Sequence, residues 1–290
     1  MEKISFIINP ISGHGKKRTI EKNIEKYLRP DINLDILYTK AAKHAIELSQ
    51  IASKNSDIIV AVGGDGSIHE VAQSLVGKSN KMGIIPMGSG NGLARHLNIP
   101  LNIKKAIETI NLSNSKPIDV LDFGSYYGIN VSGIGFDAQI AHLFANYGKR
   151  GFTSYIKLTI NEFLKYKPQQ FSITIDDQKE FETEAFLISI ANSSQFGNNA
   201  YIAPNAIIDD GYFELVLLSP FQKRSALNIG IKLFTKKIDE SKYLSIIKAK
   251  QVKITSKTKF ATHNDGEDMG TKKELNINIK PSSLNIIVPK

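Results

Sequence analysis

The 290-residue sequence contains no cysteine and no tryptophan, and it has no long apolar run. The absence of cysteine excludes disulfide bonds, thiolate metal sites and cysteine nucleophiles. No segment approaches the ~18 apolar residues that a membrane-spanning helix needs. Met1 to Pro10 has a short apolar run without a small-residue cleavage site, which predicts a first strand and not a secretion signal. We therefore expect a soluble, cytoplasmic protein.

The composition, with 41% hydrophobic and 22% charged residues, is ordinary for a globular protein. It excludes a disordered tail and a collagen-like fibre. At roughly 150 residues per domain, the length predicts about two domains.

The formal net charge of +9 is concentrated in one stretch. Residues 223–259 contain eleven Lys and Arg but only two acidic residues, so the remainder of the chain is neutral overall. Such a patch indicates a face for an anionic partner. Nucleic acid, an anionic membrane surface and a merely solvated face all remain open at this point.

The first ~120 residues alternate strand and helix patterns. Apolar runs predict strands at Lys3–Ile8, Ile32–Tyr38, Asp57–Val62 and Met82–Pro86, with helices at Lys16–Leu28, Lys43–Ser53 and Ser67–Val76. This rhythm predicts an α/β domain, residues 1–120, with a parallel sheet and flanking helices. In such sheets, ligands bind at the carboxyl ends of the strands.

Beyond Pro117 the pattern changes to a β-rich half, residues 121–281, which we expect to be antiparallel. A helical section at Ala138–Lys167 and a helix near Ser225–Lys237 interrupt it. The remaining apolar runs predict strands at Ile118–Phe123, Tyr127–Ser132, Phe171–Ile175, Ala185–Ala191, Tyr212–Leu218, Gln251–Thr255 and Leu275–Ile279. A final apolar strand, Leu284–Val288, could return to either domain.

Three glycine-rich loops each follow a strand of the first half. Their sequences are Asn9-Pro10-Ile11-Ser12-Gly13, Gly63-Gly64-Asp65-Gly66-Ser67 and Gly88-Ser89-Gly90-Asn91-Gly92. Glycine lets backbone N–H groups approach an anion, and a following helix adds the positive end of its dipole. One such loop can be a plain tight turn, but three at one sheet edge favour a nucleotide polyphosphate. None is a Walker loop, because no Gly-Lys-Ser/Thr follows the glycines.

Single residues in these loops have competing interpretations. Ser67 and Glu70 have the spacing of a capping box for the helix that follows. Asp65 would repel phosphate directly, so we expect it to act through a Mg²⁺ ion or its water shell. His69 lies in the middle of a predicted helix, and this position favours a packing or surface role over a catalytic one. Thr39 either contacts a nucleotide or caps a helix.

Two acidic clusters lie in the second half, Asp209-Asp210-Gly211-Tyr212 and Asn264-Asp265-Gly266-Glu267-Asp268. Asp-Gly is a common turn, so each cluster alone is explained structurally. Phosphoryl transfer, however, needs one carboxylate near the acceptor hydroxyl and another near the metal. Asp265 and Glu267 have the spacing to supply both.

Together these segments resemble the diacylglycerol kinase catalytic family, which includes bacterial lipid kinases and the sphingosine kinases. The resemblance covers almost the whole chain and is carried in order by NPISG, GGDGSIHEV, GIIPMGSGNGLARHL, NVSGIGFDA, APNAIIDDGY and NDGE. GGDG also occurs in NAD kinases and phosphofructokinases, whereas the combination with GSGN and the two later Asp-Gly segments is specific to this family.

The resemblance implies an ATP-binding α/β domain of the NAD-kinase/phosphofructokinase type, followed by a β-sandwich lipid-binding domain, with the active site in the cleft between them. It implies that residues 282–290 return to the first domain. It places ATP contacts on Asn9, Pro10, Ser12, Gly13, Thr39, Gly64, Asp65, Gly66, Ser67, Ile68, His69, Glu70, Gly88, Ser89, Gly90 and Asn91.

The resemblance also assigns the chemistry of the second half. Asp265 falls on the general base, Glu267 falls near the catalytic Mg²⁺, and Asp65 joins them as a catalytic candidate. A structural Mg²⁺ would bind the Asp210 side chain and the backbone carbonyls of Ile207 and Tyr212.

One loop departs from the family pattern. Many bacterial diacylglycerol kinases have Gly-Thr-x-Asn-Asp where this chain has Gly88-Ser89-Gly90-Asn91-Gly92, so the acid after Asn is missing. The loop is closer to the sphingosine-kinase type, which leaves the acceptor lipid open.

The sequence therefore predicts an ATP- and Mg²⁺-dependent kinase of a lipid hydroxyl. A kinase of a soluble acceptor such as NAD and a non-catalytic nucleotide-binding regulator are the alternatives. No nucleic-acid module is recognised, and aromatic residues are sparse in the basic stretch. We expect residues 223–259 to dock transiently on an anionic membrane, at the inner face of the cell membrane. Leu227, Ile231 and Phe234 have the spacing of an interfacial helix, although a core-facing helix explains it equally well. The oligomeric state is left open.

Overall fold

The computed structural model of the chain describes residues 1–15, 17–145 and 152–290. It divides into two compact units, Met1–Val120 with Ser282–Lys290, and Leu121–Pro281. No helix within those described ranges is long and apolar enough to cross a bilayer.

The first unit alternates strands and helices along the chain. Its elements are β1 (Lys3–Ile8), α1 (Lys17–Tyr27), β2 (Asn33–Tyr38), α2 (His44–Ala52), β3 (Ile58–Gly63), α3 (Asp65–Gln73), β4 (Lys81–Pro86), α4 (Gly92–His96), α5 (Ile103–Leu112) and most of β5 (Ser115–Asp122). A 3-10 helix, Ser12–Gly15, follows β1.

The sheet of the first unit is parallel. Its order is β2–β1–β3–β4, and the end of the last strand of the chain adds to β4, with Asn285 beside Lys81 and Ile286 beside Met82. All six residues of β3 are buried, as expected for a strand covered on both faces. Ile58, Val60 and Val62 pack with α1 and α5, while the intervening side chains face the other way.

The second unit is predominantly β. Its elements are β6 (Tyr127–Gly128), β7 (Val131–Gly135), α6 (Phe136–Ala145), α7 (Phe152–Phe163), β8 (Gln169–Ile175), β9 (Lys179–Ala185), β10 (Leu187–Ala191), β11 (Gln195–Gly197), β12 (Ala200–Tyr201), β13 (Phe213–Leu218), α8 (Ala226–Phe234), β14 (Leu244–Ala249), β15 (Gln251–Asn264) and β16 (Glu267–Ile287). Strand β16 belongs to the second unit up to Pro281 and to the first unit from Ser282.

The ladders within the second unit are antiparallel. The main order is β14–β13–β10–β7–β15–β16, and β8 and β9 extend from β15. Alternate residues of β8, β10, β13 and β15 form one apolar core, which includes Phe171, Phe213 and Phe260. Burial of each such side chain contributes about 1.5–3 kcal/mol.

The predicted fold class, a parallel α/β unit followed by an antiparallel β-rich unit, is confirmed. The last strand joins the first unit. The single predicted strand Tyr127–Ser132 is instead two strands, β6 and β7. The sequence patterns also missed helix α5 and the strands β9 and β14. The centre of the predicted helical section, residues 146–151, lies outside the described residues.

Candidate active site

The three glycine loops meet at the carboxyl edge of the parallel sheet, as predicted. They follow β1, β3 and β4, which are neighbours in that sheet. Asn9 Nδ2 donates a hydrogen bond to Ser67 Oγ at 3.1 Å, and Asn9 Oδ1 accepts the N–H of Ile11 at 3.1 Å. One asparagine side chain thus orders the first loop and connects it to the second.

The second and third loops approach each other so closely that only glycine fits. A Cβ atom on Gly88 would lie 2.6 Å from the Gly64 Cα, and a Cβ on Gly64 would lie 3.2 Å from the Gly88 Cα. Gly13 has φ +68°, and a Cβ there would lie 2.3 Å from the Met87 Cε. Gly13 thus leaves room for the Met87 side chain, whereas Gly64 and Gly88 bring backbone groups together on a surface that can face an anion.

Asp65 joins the second loop to the third. Its Oδ2 accepts the N–H of Asn91, and its Oδ1 accepts the N–H of Gly92, both at 2.8 Å. Hydrogen bonds to an ionised acceptor are roughly twice as strong as neutral ones. The residue therefore has a structural role that the sequence did not indicate, and its predicted action through Mg²⁺ remains a prediction.

The third loop is closed by Asn91. Its Oδ1 accepts the N–H of Gly88 at 2.9 Å, and its Nδ2 donates to the Gly88 carbonyl at 2.8 Å. Asn91 itself has φ +52°, a left-handed conformation that asparagine tolerates well. Ser89, at the tip of the loop, is exposed. Arg95 Nε donates to the Gly90 carbonyl at 3.0 Å, which tethers the loop to α4.

Helix α3 begins at Asp65, two residues earlier than predicted. The N–H groups of a first helical turn have no intrahelical acceptor, so the N-terminus of α3 is a place where backbone N–H groups can face phosphate. The capping-box prediction is wrong, because Ser67 and Glu70 lie inside the helix and Gly64 is its N-cap. Glu70 instead accepts the N–H groups of Lys43 and Ala45, and so caps α2.

The other predicted nucleotide contacts are not equally placed. The Ile68 side chain is buried and its N–H donates to the Gly64 carbonyl, so its side chain belongs to the core. His69 lies beside Gln73 on α3, with nitrogen atoms 3.4 Å apart. Thr39 is buried directly after β2, where its N–H donates to the Ile8 carbonyl at 3.0 Å. Pro10 and Ser12 lie in the first loop, and the Ser12 N–H donates to the Asn9 carbonyl.

In the second unit, Asp265 and Gly266 form the two-residue turn between β15 and β16. Both have positive φ, +51° and +88°, as a type I′ hairpin turn requires. The Asp265 carboxylate accepts the N–H of Ile129 at 2.9 Å and that of Asn130 at 2.8 Å. Two hydrogen bonds from consecutive backbone N–H groups fix the orientation of the carboxylate.

The neighbouring residue Asn264 is fully buried and fixes the turn from the other side. Its Nδ2 donates to the Tyr127 carbonyl at 2.8 Å, and its Oδ1 accepts the Ser132 hydroxyl at 2.6 Å. Asp265 is therefore preorganised, whereas Glu267, one residue beyond the turn, is exposed.

The predicted catalytic Mg²⁺ fits this arrangement. Among the described residues, no group of three or more His, Asp or Glu side chains is arranged to hold a metal ion. Mg²⁺, however, is commonly bound by one or two carboxylates together with substrate phosphates and water. An exposed carboxylate such as that of Glu267 suits this type of site.

The predicted structural Mg²⁺ does not fit the Asp210 side chain as it is placed. Asp210 Oδ1 accepts the N–H of Tyr212 at 3.1 Å, and Oδ2 binds the Lys248 ammonium at 2.5 Å. The hydrogen bond to Asp210 raises the pKa of Lys248. A cation therefore already neutralises this carboxylate. Ile207 and Tyr212 are exposed around it.

Two buried polar residues that sequence reasoning missed lie directly behind the Asp265 turn. His263 Nε2 is 3.1 Å from Asp137 Oδ2, and both side chains are almost completely buried. Burial, together with the nearby Asp137 carboxylate, raises the pKa of Tyr166 well above its usual value. The sequence did contain a signal for these two residues, since Asp137 belongs to the NVSGIGFDA segment and His263 lies two residues before Asp265.

Comparisons with known proteins agree with this geometry. Residues 3–123 match the family model of the diacylglycerol kinase catalytic domain, and residues 130–288 match that of the YegS C-terminal NAD kinase beta sandwich-like domain. A diacylglycerol kinase of Staphylococcus aureus is 28% identical over 282 residues, which are 92% of this chain and 86% of that protein.

Two solved structures extend the comparison. A candidate diacylglycerol kinase of Bacillus anthracis is 25% identical, with a TM-score of 0.81 over 99% of this chain and 97% of that one. An NAD kinase of Archaeoglobus fulgidus in complex with ATP has a TM-score of 0.55 at 12% identity, over 98% and 93% of the two chains. The second likeness concerns the fold alone.

The fold, the glycine loops and these matches define the class of protein, which is a kinase-type phosphotransferase. The chain belongs to the diacylglycerol kinase catalytic-domain family, with a YegS-type C-terminal domain.

Proposed function

We propose that the protein is an ATP- and Mg²⁺-dependent lipid kinase, which transfers the γ-phosphate of ATP to a hydroxyl group of a membrane lipid. The observation that carries the proposal is the preorganised Asp265 carboxylate in a chain that also has three joined glycine loops. The likeness to the diacylglycerol kinase of Staphylococcus aureus supports a lipid as acceptor.

The first unit supplies the nucleotide site in this proposal. The first turn of α3 offers N–H groups and the positive end of a helix dipole to the phosphates. The approach of Gly64 to Gly88 keeps side chains away from that surface. The bonds from Asp65 to the third loop hold the surface in one shape, so that binding ATP requires little reorganisation.

The second unit supplies the base. Asp265 accepts the proton of the lipid hydroxyl while that oxygen forms a bond to the γ-phosphorus. The bond from the γ-phosphorus to the β,γ-bridging oxygen breaks, and ADP leaves with the electron pair. Mg²⁺, held by Glu267 and phosphate oxygens, would neutralise the charge that develops on them. The two backbone bonds to Asp265 keep its carboxylate oriented throughout.

A kinase of membrane lipids must also bind to a bilayer. The surface of α8 supports an anionic bilayer as the docking partner. None of its residues is buried, and Leu227, Ile231 and Phe234 are 76%, 55% and 48% exposed. Leu233, on another side of the helix, packs against the core and holds the helix in place. Three large apolar side chains at helical spacing form a face that can enter a lipid interface.

Exposed basic residues flank α8 along the chain. Lys223, Arg224, Lys236 and Lys237 are all exposed, and each contributes roughly 1 kcal/mol when it lies near an anionic leaflet. Lys223 is bonded to the Leu164 carbonyl, and Lys232 is bonded to the Glu240 carbonyl. The charge complements a bilayer that contains phosphatidylglycerol.

The docking surface is tested by replacing Leu227, Ile231 and Phe234 together with serine. We expect the variant to lose sedimentation with phosphatidylcholine vesicles that contain phosphatidylglycerol, while its ATP affinity is unchanged. Unaltered sedimentation would contradict the proposal. A dimer of the wild type that the same variant dissociates in solution would show that this face binds a second copy of the chain instead.

A matched control removes three exposed large apolar side chains from the first unit. Ile51, Leu101 and Leu112 are 54%, 43% and 52% exposed. We expect the triple serine variant at these positions to bind the vesicles as the wild type does.

The activity itself is tested with radiolabelled ATP and a panel of acceptors. The panel contains dioleoylglycerol, sphingosine and ceramide in mixed micelles, and NAD in solution. We expect label in a lipid and none in NAD, with Mg²⁺ required. Transfer to NAD without transfer to any lipid would contradict the proposal and favour the activity suggested by the more distant structural likeness.

A further inference from the structure

A buried histidine, His263, lies between helix α6 and the Asp265 turn. Its Nε2 is 3.1 Å from Asp137 Oδ2 at the start of α6, and its Nδ1 is 3.2 Å from the backbone nitrogen of Gly266. The side chains of His263 and Asp137 are 4% and 10% exposed. One ring thus joins a helix to the turn through its two nitrogens.

The chemistry of the two partners fixes the protonation of that ring. The Asp137 carboxylate only accepts hydrogen bonds, so Nε2 carries the proton and donates it. The Gly266 N–H only donates, so Nδ1 has to present its lone pair. Both bonds are satisfied together only by the neutral imidazole with its proton on Nε2.

The surrounding strands are shaped for this contact. Ser189, Gly133 and His263 lie side by side on β10, β7 and β15. A Cβ on Gly133 would lie 2.6 Å from Asp137 Oδ2 and 3.0 Å from His263 Nε2, so glycine provides the space in which the two groups meet. Ser189 donates its hydroxyl to Asp137 Oδ2 at 3.2 Å.

This cluster is not a hydrolytic triad. Ser189 is fully buried, and its hydroxyl donates to the same Asp137 oxygen that faces His263. A nucleophilic serine would instead have to donate to the histidine. The polar chain leads from α6 through His263 to the backbone of the turn.

We propose that His263 is a positioning residue for Asp265, and that Asp137 orients its ring. The bond from the Gly266 N–H to Nδ1 holds the second residue of the turn, and so keeps the Asp265 carboxylate on the N–H groups of Ile129 and Asn130. The catalytic consequence rests on the proposed function, whereas the positioning of the turn does not. A displacement of about 1 Å at a reacting group can reduce the rate roughly a hundredfold.

Two substitutions of His263 distinguish the roles of its two ring nitrogens. His263→Asn places an amide oxygen near the position of Nδ1 and can accept the Gly266 N–H, but it does not reach Asp137. His263→Gln extends an amide group towards the position of Nε2 and Asp137, but it leaves Gly266 without an acceptor. We expect kcat to fall by at least about tenfold in His263→Gln and by clearly less in His263→Asn. The KM for ATP stays unchanged in both.

A neighbouring histidine provides the matched control. His142 also joins α6 to β16, through a 2.7 Å contact with Asp268, which lies two residues beyond the turn, and its side chain is 47% exposed. We expect His142→Gln to retain the kcat of the wild type. If the two His263 variants lose kcat equally, and only in proportion to their loss of thermal stability, the role is structural and the proposal is overturned.

Two measurements do not depend on kinase activity or on the folding of a variant. In the wild type, ¹⁵N NMR of the imidazole should show the proton on Nε2, and amide exchange should show a protected Gly266. A proton on Nδ1, or an unprotected Gly266 amide, would overturn the proposal. If the wild type phosphorylates no acceptor, the proposed function fails, and these two measurements still decide whether His263 holds the turn.

Discussion

Replacing Asp65 with asparagine distinguishes the structural role of this residue from the metal-linked role that the sequence predicted. The carboxylate accepts two N–H groups of the third glycine loop, those of Asn91 and Gly92. Asparagine has nearly the same shape but only one acceptor oxygen, so its NH₂ group would face one of the two N–H donors. One of the two hydrogen bonds is lost, and the backbone N–H that made it then faces the NH₂ group of the asparagine, which is also a donor.

The size of the effect follows from the type of bond. A hydrogen bond to a charged group contributes about 1.5–3 kcal/mol, and leaving a partly buried donor without its acceptor costs a similar amount. We therefore expect Asp65→Asn to lower the free energy of unfolding of the first unit by about 2–3 kcal/mol. In a unit of this size, a loss of 2 kcal/mol corresponds to a decrease of roughly 4–8 °C in melting temperature.

The assay is thermal unfolding in EDTA without nucleotide, followed by ATP binding as Mg²⁺ is titrated. A matched control is Asp57→Asn, because the Asp57 carboxylate accepts the N–H of Lys3 through one oxygen, Oδ2, at the opposite edge of the same sheet. We expect that variant to melt close to the wild type. If Asp65→Asn also melts like the wild type but needs more Mg²⁺ to bind ATP, the structural role is refuted and the metal-linked role is supported.

Three further outcomes follow from single contacts. Gly64→Ala places a methyl group 3.2 Å from the Gly88 backbone, so we expect a raised KM for ATP in steady-state assays with little change in kcat. Lys248→Met removes the cation that is paired with Asp210. The melting temperature of this variant should fall in EDTA and partly recover when Mg²⁺ is added. An equal rise in the melting temperature of the wild type with Mg²⁺ would contradict this expectation. Burial raises the pKa of Glu214, with the Lys248 charge opposing the shift, so the stability that the protonated carboxyl provides is lost as the pH rises through its folded pKa. The Glu214→Gln variant should therefore have a higher melting temperature than the wild type at pH 8 and the same melting temperature at pH 4.

The fold of the first unit was predictable because its signals are local. The predicted strand Asp57–Val62 has five consecutive apolar residues after Asp57, which indicated a strand buried on both faces, and β3 has that burial. Because parallel strands end at the same edge, the glycine loops after β1, β3 and β4 had to meet there, and they do. Strand β9 was missed for the opposite reason, since most of its residues are polar and exposed.

The contacts that order the candidate site were not predictable, because they join distant parts of the chain. Glu70 has the local spacing of a capping box but caps a helix 25–27 residues earlier. His263 and Asp137 are 126 residues apart, and only the pairing of β15 with β7 brings them together. Spacing rules describe neighbours on one helix or turn, whereas these bonds depend on tertiary packing.

Asp65 and Asp265 use the same device, and this affects how a loss of activity should be interpreted. Each precedes a glycine, and each accepts the N–H groups of two consecutive residues on another segment. Asparagine at either position removes the same kind of bond, so inactivity of Asp265→Asn would not by itself identify a base.

The two variants, compared side by side, separate the effects. We expect similar losses of unfolding free energy in their respective units, but different kinetics. Asp65→Asn should raise the KM for ATP and leave kcat largely intact, whereas Asp265→Asn should lower kcat by about 10²–10⁴-fold, the range of general-base catalysis, with the KM for ATP unchanged. If both variants lose kcat to the same extent, the loss reflects the backbone hydrogen bonds that each carboxylate accepts, and the assignment of Asp265 as the base is contradicted.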